Sequence, residues 1–307
     1  MTVTPILQPG QIETAAGDIP ELRLPPATLY SHRAQRLRQL AEGHSLGDYL
    51  HFLAVLVECQ QRALDHHPAI PGPDARLLNR CHQDAMPPLA PPGRRRHPHW
   101  QEVARFLAEV MYDQVPVGGR DAFSPLLDPK KEWLEAQADS LLGQKFAGLN
   151  LATAPFIGAA LQVQWTCLAR QLEAQQVTRP GESILCPVCG GHPVASVIRT
   201  DGPASGLRYL HCALCGSEWH MVRSKCSQCD NSKGLTYYGI EGRKEFTRAE
   251  ACPACRTYLK VISQDKGVRV DPVADDLATL ALDLLMGEKE FAKSGLNFFM
   301  LPGKDES

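Results

Sequence analysis

The sequence lacks the features that mark membrane or exported proteins. Its 307 residues contain no clean apolar run of the roughly 18–20 residues that a membrane-spanning helix needs. The amino-terminal segment MTVTPILQPGQIETAAGD has no basic start, no apolar core and no small-residue cleavage pattern. We therefore expect a cytoplasmic protein that does not insert into a membrane.

The chain also lacks a strong excess of charge and the common motifs of catalysis. The formal net charge is -2 and 21% of the residues are charged, so the composition does not indicate a polyanion-binding protein. No G-x-S-x-G, H-E-x-x-H, P-loop or dinucleotide-binding glycine motif occurs. We expect a protein that is not an enzyme.

Cysteine is the residue that the sequence has in excess. Eight of its 11 cysteines form four C-x2-C pairs: CPVC from Cys186, CALC from Cys212, CSQC from Cys226 and CPAC from Cys252. Because disulfides are rare in a reducing cytoplasm, these pairs indicate metal ligands. The other three are expected to be small buried hydrophobic residues: Cys59, Cys81 and Cys167.

The four pairs form an internal duplication with one constant offset, in which each unit has the layout C-x2-C-x22-C-x2-C. Two facing C-x2-C turns can hold one metal ion in a tetrahedron of sulfurs. We therefore predict two sites, one at Cys186, Cys189, Cys212 and Cys215 and the other at Cys226, Cys229, Cys252 and Cys255. A cross-braced arrangement, in which the first and third pairs share an ion, remains an alternative.

Residues beside the cysteines predict differences between the two sites. In the first unit Gly190 and Gly216 follow the cysteine pairs and permit a left-handed backbone, whereas Asp230 and Arg256 stand there in the second. The second site is therefore expected to be looser. Trp219 is expected to pack beside the first site. Three histidines are expected at the surface or next to metal ligands: His192, His211 and His220.

Before the cysteine region, apolar residues recur at helical spacing. They predict helices near 28–43, after Ser45, and near 74–83, 99–114, 130–147 and 156–177. Ser45 and Asp48 resemble a capping box at the start of the second helix. Within the cysteine region, LRYLHC and GLTYYGI have the composition of strands.

The last predicted helix begins with Asp271 and Pro272. Its buried face should carry Val273, Leu277, Leu280 and Leu284, and its regular part should end near Gly287. The acidic pair Asp275 and Asp276 is explained by the helix dipole rather than by acid–base chemistry. In the Pro-rich loop at 84–99, the run Arg94, Arg95 and Arg96 is expected to be solvated.

Four segments around the cysteines are distinctive: LCPVCGGHPVASVI, GLRYLHCALCGSEWHMVRSKCSQCDNSKGLTYYGIEG, RAEACPACRTYLK and DPVADDLATLALDLLMGEKEF. Together they resemble the FdhE family of formate dehydrogenase accessory proteins, densely from about 184 to 300. The resemblance implies a cytoplasmic factor that is needed for active respiratory formate dehydrogenase and contacts its catalytic subunit. It also implies rubredoxin-like iron, two ions per chain, on the eight cysteines.

Pattern and resemblance together predict an α+β fold, in which an N-terminal helical bundle precedes two tandem rubredoxin-like or zinc-ribbon-like metal-binding modules and a C-terminal helix. The expected divisions are an extended arm at 1–26, a helical domain at 27–180, a first module at 181–220, a second module at 221–268, and a C-terminal helix and tail at 269–307.

Several alternatives stay open. Spacing alone fits zinc as well as iron. A zinc-ribbon nucleic-acid-binding protein and a rubredoxin-like electron carrier are the other candidate functions. Charge weighs against nucleic acid, because residues 181–260 carry 10 Lys and Arg against 7 Asp and Glu, and eight thiolates with two divalent ions reduce the formal charge to -1. Closed four-sulfur sites leave no position for a catalytic water.

Overall fold

The chain folds into a helical half followed by a mixed sheet, which confirms the predicted α+β class. The computed structural model describes residues 19–91, 96–115, 117–178, 184–200, 204–240, 246–264 and 269–301. The α-helices are α1 Leu29–Ala41, α2 Gly47–Asp65, α3 Ala75–Gln83, α4 His99–Tyr112, α5 Ser124–Leu127, α6 Lys131–Leu142, α7 Ala154–Ala169, α8 Pro272–Leu277 and α9 Leu280–Glu288. The strands are β1 Leu22–Arg23, β2 Pro193–Ile198, β3 Arg208–Cys212, β4 Glu218–His220, β5 Thr236–Tyr238, β6 Thr247–Cys252, β7 Thr257–Ser263 and β8 Ala292–Lys293.

Helix α7 is the centre of the helical half. Nearly all of its residues are buried, and it packs against α2, α4 and α6. Polar groups of α7 accept hydrogen bonds inside the core. Gln60 of α2 donates to the carbonyl of Ala159 at 2.9 Å and to Oε1 of Gln162 at 3.0 Å. None of the helices in the described ranges combines the length and the hydropathy that a bilayer crossing requires.

The two cysteine units share one sheet with the strand order β1-β4-β3-β2-β7-β6-β5, and β8 pairs with β7. The duplication extends to strand register. Leu210 faces Trp219 across β3 and β4, and the residues at the same positions of the second unit, Glu250 and Leu259, face each other across β6 and β7. The units join through parallel pairing of β2 with β7. The sequence duplication is therefore a duplication of the fold as well as of the cysteines.

Buried ion pairs connect α1, α8 and the sheet. Arg33 donates to Asp271 at 3.0 Å, Arg36 to Asp275 at 2.6 Å, and Lys260 pairs with Asp276 at 3.1 Å. Asp275 lies in the first turn of α8 as the helix-dipole interpretation requires, and both carboxylates of the acidic pair are in addition buried and paired. Burial would raise the pKa of Asp276, but the charges of Lys260 and Lys293 outweigh it and hold that pKa below its usual value.

Two predictions about helix ends are wrong. Helix α2 begins at Gly47 without a side-chain cap, because Nδ1 of His44 accepts the free N–H of Leu46 at 3.0 Å in place of the expected Ser45 capping box. The last helix is divided into α8 and α9, since Lys260 donates to the backbone carbonyls of Asp276 and Thr279 at 2.8 and 3.1 Å. After this break Leu284 lies outside the core and is 72% exposed.

Helix lengths also differ from the periodic pattern in two places. Helix α6 ends at Leu142, where Gln144 takes a left-handed φ of 53°, rather than at 147. Helix α7 ends at Ala169 and is followed by a short 3-10 turn at Ala174–Gln176. The other predicted helices near 28–43, 74–83 and 99–114 are confirmed within two residues at each end.

In the Pro-rich loop, Arg96 is the one arginine of the basic run that the structure describes, and it is not solvated as predicted. Arg96 pairs with Glu135 and donates to Asp139 at 2.7 Å, and its side chain is 9% exposed. Arg94 and Arg95 lie outside the described residues, as do residues 1–18 of the expected arm. Of the three scattered cysteines, Cys59 and Cys81 are buried as predicted and Cys167 is half-buried.

Candidate metal centres

The structure brings the eight paired cysteines together as two groups of four. Within each group the sulfur atoms all lie within 4.8 Å of one another: Cys186, Cys189, Cys212 and Cys215 form cluster 1, and Cys226, Cys229, Cys252 and Cys255 form cluster 2. Each group belongs to one repeat unit, which is the arrangement that the spacing predicts. The cross-braced alternative would require Cys186 and Cys226 in one group.

Sulfur separations fit a tetrahedral ion. They are 3.6 and 3.4 Å across cluster 1, for Cys186–Cys215 and Cys189–Cys212. Across cluster 2 they are 3.8 and 3.7 Å, for Cys226–Cys255 and Cys229–Cys252. A tetrahedron with metal–sulfur bonds of about 2.3 Å has sulfurs about 3.8 Å apart, whereas a disulfide bond is about 2.05 Å long. Each cluster could therefore bind one metal ion.

Tight backbone turns aim the paired sulfurs at a common point. In the first unit the N–H of Gly190 donates to the carbonyl of Cys186 at 2.7 Å, and in the second the N–H of Asp230 donates to that of Cys226 at 3.1 Å. Both turns need a left-handed residue, with φ of 70° at Gly190 and 59° at Asp230. Only glycine takes this φ without a steric penalty. The second unit therefore carries strain that the first avoids.

Hydrogen bonds to sulfur complete each turn. The N–H of Leu214 lies 3.4 Å from the sulfur of Cys212, and the N–H of Gln228 lies 3.4 Å from that of Cys226. Such donors reduce the negative charge on a thiolate. These contacts show that the protein surrounds the sulfurs with groups suited to the anionic form that binds metal.

The sequence did not predict a hydroxyl group that lies beside the last cysteine of each unit. The hydroxyl of Ser217 lies 3.3 Å from the sulfur of Cys215, and that of Thr257 lies 3.0 Å from the sulfur of Cys255. Ser217 and Thr257 occupy the same position in the two units, so the repeat offset would have found them. Both units therefore place a hydroxyl next to the fourth ligand.

Without a bound cation, the thiols of a cluster have opposing tendencies to ionise. Burial raises the pKa of the Cys186 thiol well above its usual value. At Cys212 burial acts in the same direction, but hydrogen bonds from the other three thiols outweigh it and hold the pKa well below the usual value. At Cys252 backbone N–H groups likewise outweigh burial, and the pKa is about 7. Ionising all four thiols requires a cation among them.

The two clusters differ in exposure. All four cysteines of cluster 1 are buried in the main hydrophobic core of the protein, and Trp219 is buried in that core as well. In cluster 2, Cys229 is exposed and Cys255 is half-buried. Cluster 1 is therefore closed to solvent, and cluster 2 reaches the surface.

Cluster 1 is also bonded to the helical half. Gln162 of α7 donates to the carbonyl of Ala213, between two of the cysteines, at 2.7 Å. The N–H of Leu89 donates to the carbonyl of Val188 at 2.9 Å. A Cβ on Gly216 would lie 2.6 Å from a methyl group of Leu29, so α1 packs closely on the second turn. An ion in cluster 1 would therefore link the sheet to the helices.

The three nearby histidines have separate environments. His211 is buried rather than at the surface, with Nδ1 3.1 Å from Glu218 and Nε2 3.5 Å from Arg33. Burial would raise the pKa of Glu218, but Arg199 and His211 outweigh it and lower the pKa to about 2. His192 and His220 are half-buried.

Comparison with known proteins gives matches over nearly the whole chain. Three family models match in order: "FdhE, N-terminal" over 19–182, "FdhE, central domain" over 185–223 and "FdhE, C-terminal domain" over 224–300. A protein named "FdhE homolog" from Edwardsiella ictaluri is 43% identical over 292 residues, which cover 94% of each chain. One from Pseudomonas aeruginosa is 40% identical over 307 residues, covering 97% of this chain and 98% of that relative.

A solved structure also matches closely. The crystal structure of the FdhE protein from Pseudomonas aeruginosa superposes with a TM-score of 0.81 at 37% sequence identity. The alignment covers 92% of this chain and 100% of that chain. The likeness therefore includes both the helical half and the cysteine-rich sheet.

Proposed function

The chain belongs to the FdhE family, and on this premise we propose that it is a cytoplasmic accessory factor required for active respiratory formate dehydrogenase. It would bind the catalytic subunit of that enzyme and would not itself turn over a substrate. Clusters 1 and 2 would be rubredoxin-like sites that hold one iron ion each. The domain divisions expected from the sequence stay predictions within this proposal.

One observation supports the proposal most directly: two complete four-cysteine groups, with all sulfurs of a group within 4.8 Å of one another, occur in a chain that matches the family over nearly its full length. Bound iron would supply a structural cross-link and a one-electron couple. Four sulfur ligands leave no open coordination position, so the arrangement favours a binding protein over a hydrolytic enzyme.

The surrounding residues would perform different tasks at the two clusters. At cluster 1, the surrounding core excludes water, and Gln162 and Leu89 attach the cysteine turns to the helical half. At cluster 2, the turn that contains Cys229 faces solvent. The first arrangement suits a permanent structural centre, and the second suits one that a partner can approach.

The metal can be identified directly. Protein purified without chelators should contain about two irons per chain and show the red colour of ferric tetrathiolate sites. The visible bands should disappear on reduction. A colourless protein with two zinc ions would contradict the iron assignment and leave the cluster geometry intact.

The client can be tested by co-purification. A tagged formate dehydrogenase catalytic subunit, expressed with this chain, should retain it on an affinity column. Cys186→Ser together with Cys189→Ser should weaken retention, because cluster 1 links the two halves of the molecule. Cys167→Ser, at a half-buried position outside both clusters, is the matched control. Failure of the wild-type chain to co-purify would contradict the proposed partner.

A rubredoxin-like electron carrier is the second candidate function, and the exposure of Cys229 is the observation that favours it. An electron carrier needs a metal centre close to the surface. Reversible reduction of one iron, with rapid re-oxidation by a partner protein, would support this function. A redox-inactive protein that still activates formate dehydrogenase would contradict it. A salt-dependent affinity for DNA or RNA would instead favour the zinc-ribbon alternative.

A further inference from the structure

The duplicated units allow each strand edge in one unit to be compared with its counterpart in the other. The first unit contributes strands β2, β3 and β4, and the second contributes β5, β6 and β7. A two-residue strand pairs with the third strand of each unit. β1 pairs with β4 at Leu22↔Trp219, and β8 pairs with β7 at Thr257↔Ala292. These two edges are therefore filled from within the chain.

The first strands of the two units differ. The outer edge of β2 is filled by β7, which runs parallel to it with Ser196 facing Val261. The counterpart of β2 in the second unit is β5. Ser196 of β2 faces Leu210, and Tyr237 of β5 faces Glu250, which is the residue of the second unit equivalent to Leu210. Within the parts of the chain that the structure describes, no strand pairs with the outer edge of β5. Tyr237 on this strand is 45% exposed.

The backbone direction of β5 follows from the same comparison. The N–H of Gln264 donates to the carbonyl of Ile198 at 3.0 Å, so alternate residues of β2, including Ser196, turn their backbone groups toward β7. Tyr237 occupies the position of Ser196. Its N–H and carbonyl therefore point away from the sheet, where they can pair with an added strand.

We propose that the outer edge of β5 is a docking site for an extended segment of the client polypeptide, which adds to the sheet as a parallel strand. This inference rests on the proposed function and names the surface that would carry it. The occupied edge of β2 is the internal precedent for the geometry. Main-chain hydrogen bonds would supply the attachment, and side-chain pockets the selectivity.

On one face of the sheet the surroundings favour an acidic side chain. Tyr237 and Arg223 line a groove of about 590 Å³ that extends over the neighbouring strands, and none of its described lining residues is a carboxylate. Its other lining residues are Ile198, Ser224, Phe246, Arg248, Val261 and Ser263. The nearby carboxylate of Glu250 is buried and pairs with Arg208 at 2.9 Å. A carboxylate on the added strand would therefore meet the positive charge of Arg223.

On the other face two aromatic rings offer apolar surface, and each ring also has a cation against it, Lys289 at 5.3 Å from Tyr238 and Arg256 at 4.4 Å from Phe291. Tyr238 and Phe291 are partly buried beside the small core of the second unit, and their rings lie 6.2 Å apart. Ile240 extends the same apolar surface. Successive residues of a strand point to opposite faces, so the client segment should alternate acidic and apolar residues.

Hydrogen exchange on the complex tests this docking site. When the formate dehydrogenase catalytic subunit is added to the full chain, the outward-facing amide of Tyr237 should gain protection of about tenfold or more, whereas the amides of Thr236 and Tyr238, which face β6, should change little. Amides of β2 are already paired and should change little. A complex that forms without any protection of β5 would overturn the inference while leaving the proposed function in place. Absence of a complex would instead contradict the proposed function.

A substitution provides the second readout. Tyr237→Pro removes the outward N–H, and because proline is tolerated on strand edges, the fold should survive while client affinity falls about tenfold or more. Tyr237→Phe keeps the N–H and is the matched control, with affinity near wild type. Arg223→Glu should also reduce affinity for the client segment. This variant tests the docking site independently, even if Tyr237→Pro fails to fold. Wild-type affinity in both Tyr237→Pro and Arg223→Glu would overturn the inference, as would a Tyr237-dependent dimer formed without client.

Discussion

The side-chain amide of Gln162 donates a hydrogen bond to the backbone carbonyl of Ala213, at 2.7 Å, inside the protein core. Gln162 belongs to the central helix of the helical half, and Ala213 lies between two cysteines of cluster 1. A buried hydrogen bond thus joins the two halves at cluster 1. Several consequences of this attachment, and of the contrast between the clusters, can be measured.

Replacing Gln162 with leucine should destabilise the protein by roughly 1–3 kcal/mol, because the carbonyl of Ala213 and the amide of Gln60 lose a buried partner. Urea unfolding measures this change. Gln164→Leu is the matched control, because Gln164 is equally buried but its Oε1 has no hydrogen-bond partner among the described residues. Equal losses in the two variants would contradict a specific role for the Gln162 bond.

Cluster 2 should release its ion to a chelator well before cluster 1 does. Cys229 is exposed, whereas all four sulfurs of cluster 1 are enclosed in the core. A chromogenic chelator should reveal two phases of release, each accounting for one ion per chain. The fast phase should be missing when Cys226 and Cys229 are both serine, and the slow phase when Cys186 and Cys189 are. A single phase for the wild type would contradict the asymmetry.

Glycine exchanges at the cysteine turns should have opposite effects in the two units. Gly216→Ala places a Cβ 2.6 Å from Leu29 at a φ of 72°, so it should cost roughly 2 kcal/mol or more. Asp230→Gly relieves a left-handed residue at φ 59° and should stabilise the protein by up to about 1 kcal/mol. Thermal unfolding of the metal-loaded protein measures both. A stabilised Gly216→Ala variant would refute the packing described here.

The buried carboxylate of Asp276 should contribute stability that depends on pH. Its pKa is lowered on folding, so the contribution is fully present above the unfolded value, near 3.8, and is lost as the pH falls through the folded value. The difference in unfolding free energy between wild type and Asp276→Asn should therefore shrink below about pH 4. Glu58→Gln, at an exposed ion pair with Arg38, should give a small difference. A difference for Asp276→Asn that stays constant from pH 7 to pH 3 would exclude this linkage.

The grouping of the cysteines was predictable because the two turns of each site are close in sequence and repeat with one offset. The strands LRYLHC and GLTYYGI were predictable for the same local reason, and they correspond to β3 and β5. The parallel pairing of β2 with β7 was not, since residues far apart in the sequence, such as Ser196 and Val261, meet there and no local pattern encodes it.

Two features near the end of the chain that the sequence did not predict come from Lys260. Asp276 has an ordinary sequence position for a first-turn acid, and only the fold brings Lys260 to it. The same lysine divides the last helix, because it donates to the carbonyls of Asp276 and Thr279. In one continuous helix, N–H groups of the helix itself would bind those carbonyls. At α2 the competing group is local, because His44, the neighbour of the expected cap Ser45, accepts the N–H of Leu46. In the cases that involve Lys260, a side chain from a distant strand binds a backbone or charged group of the last helices.

Native mass spectrometry of the intact chain is the most direct test of the central claim that each unit closes around its own metal ion. The wild type should carry two ions and eight thiolates. Cys186→Ser with Cys189→Ser, and separately Cys226→Ser with Cys229→Ser, should each retain one full ion. A metal-free mass with disulfide bonds, or partial loss of both ions in either double variant, would contradict the account.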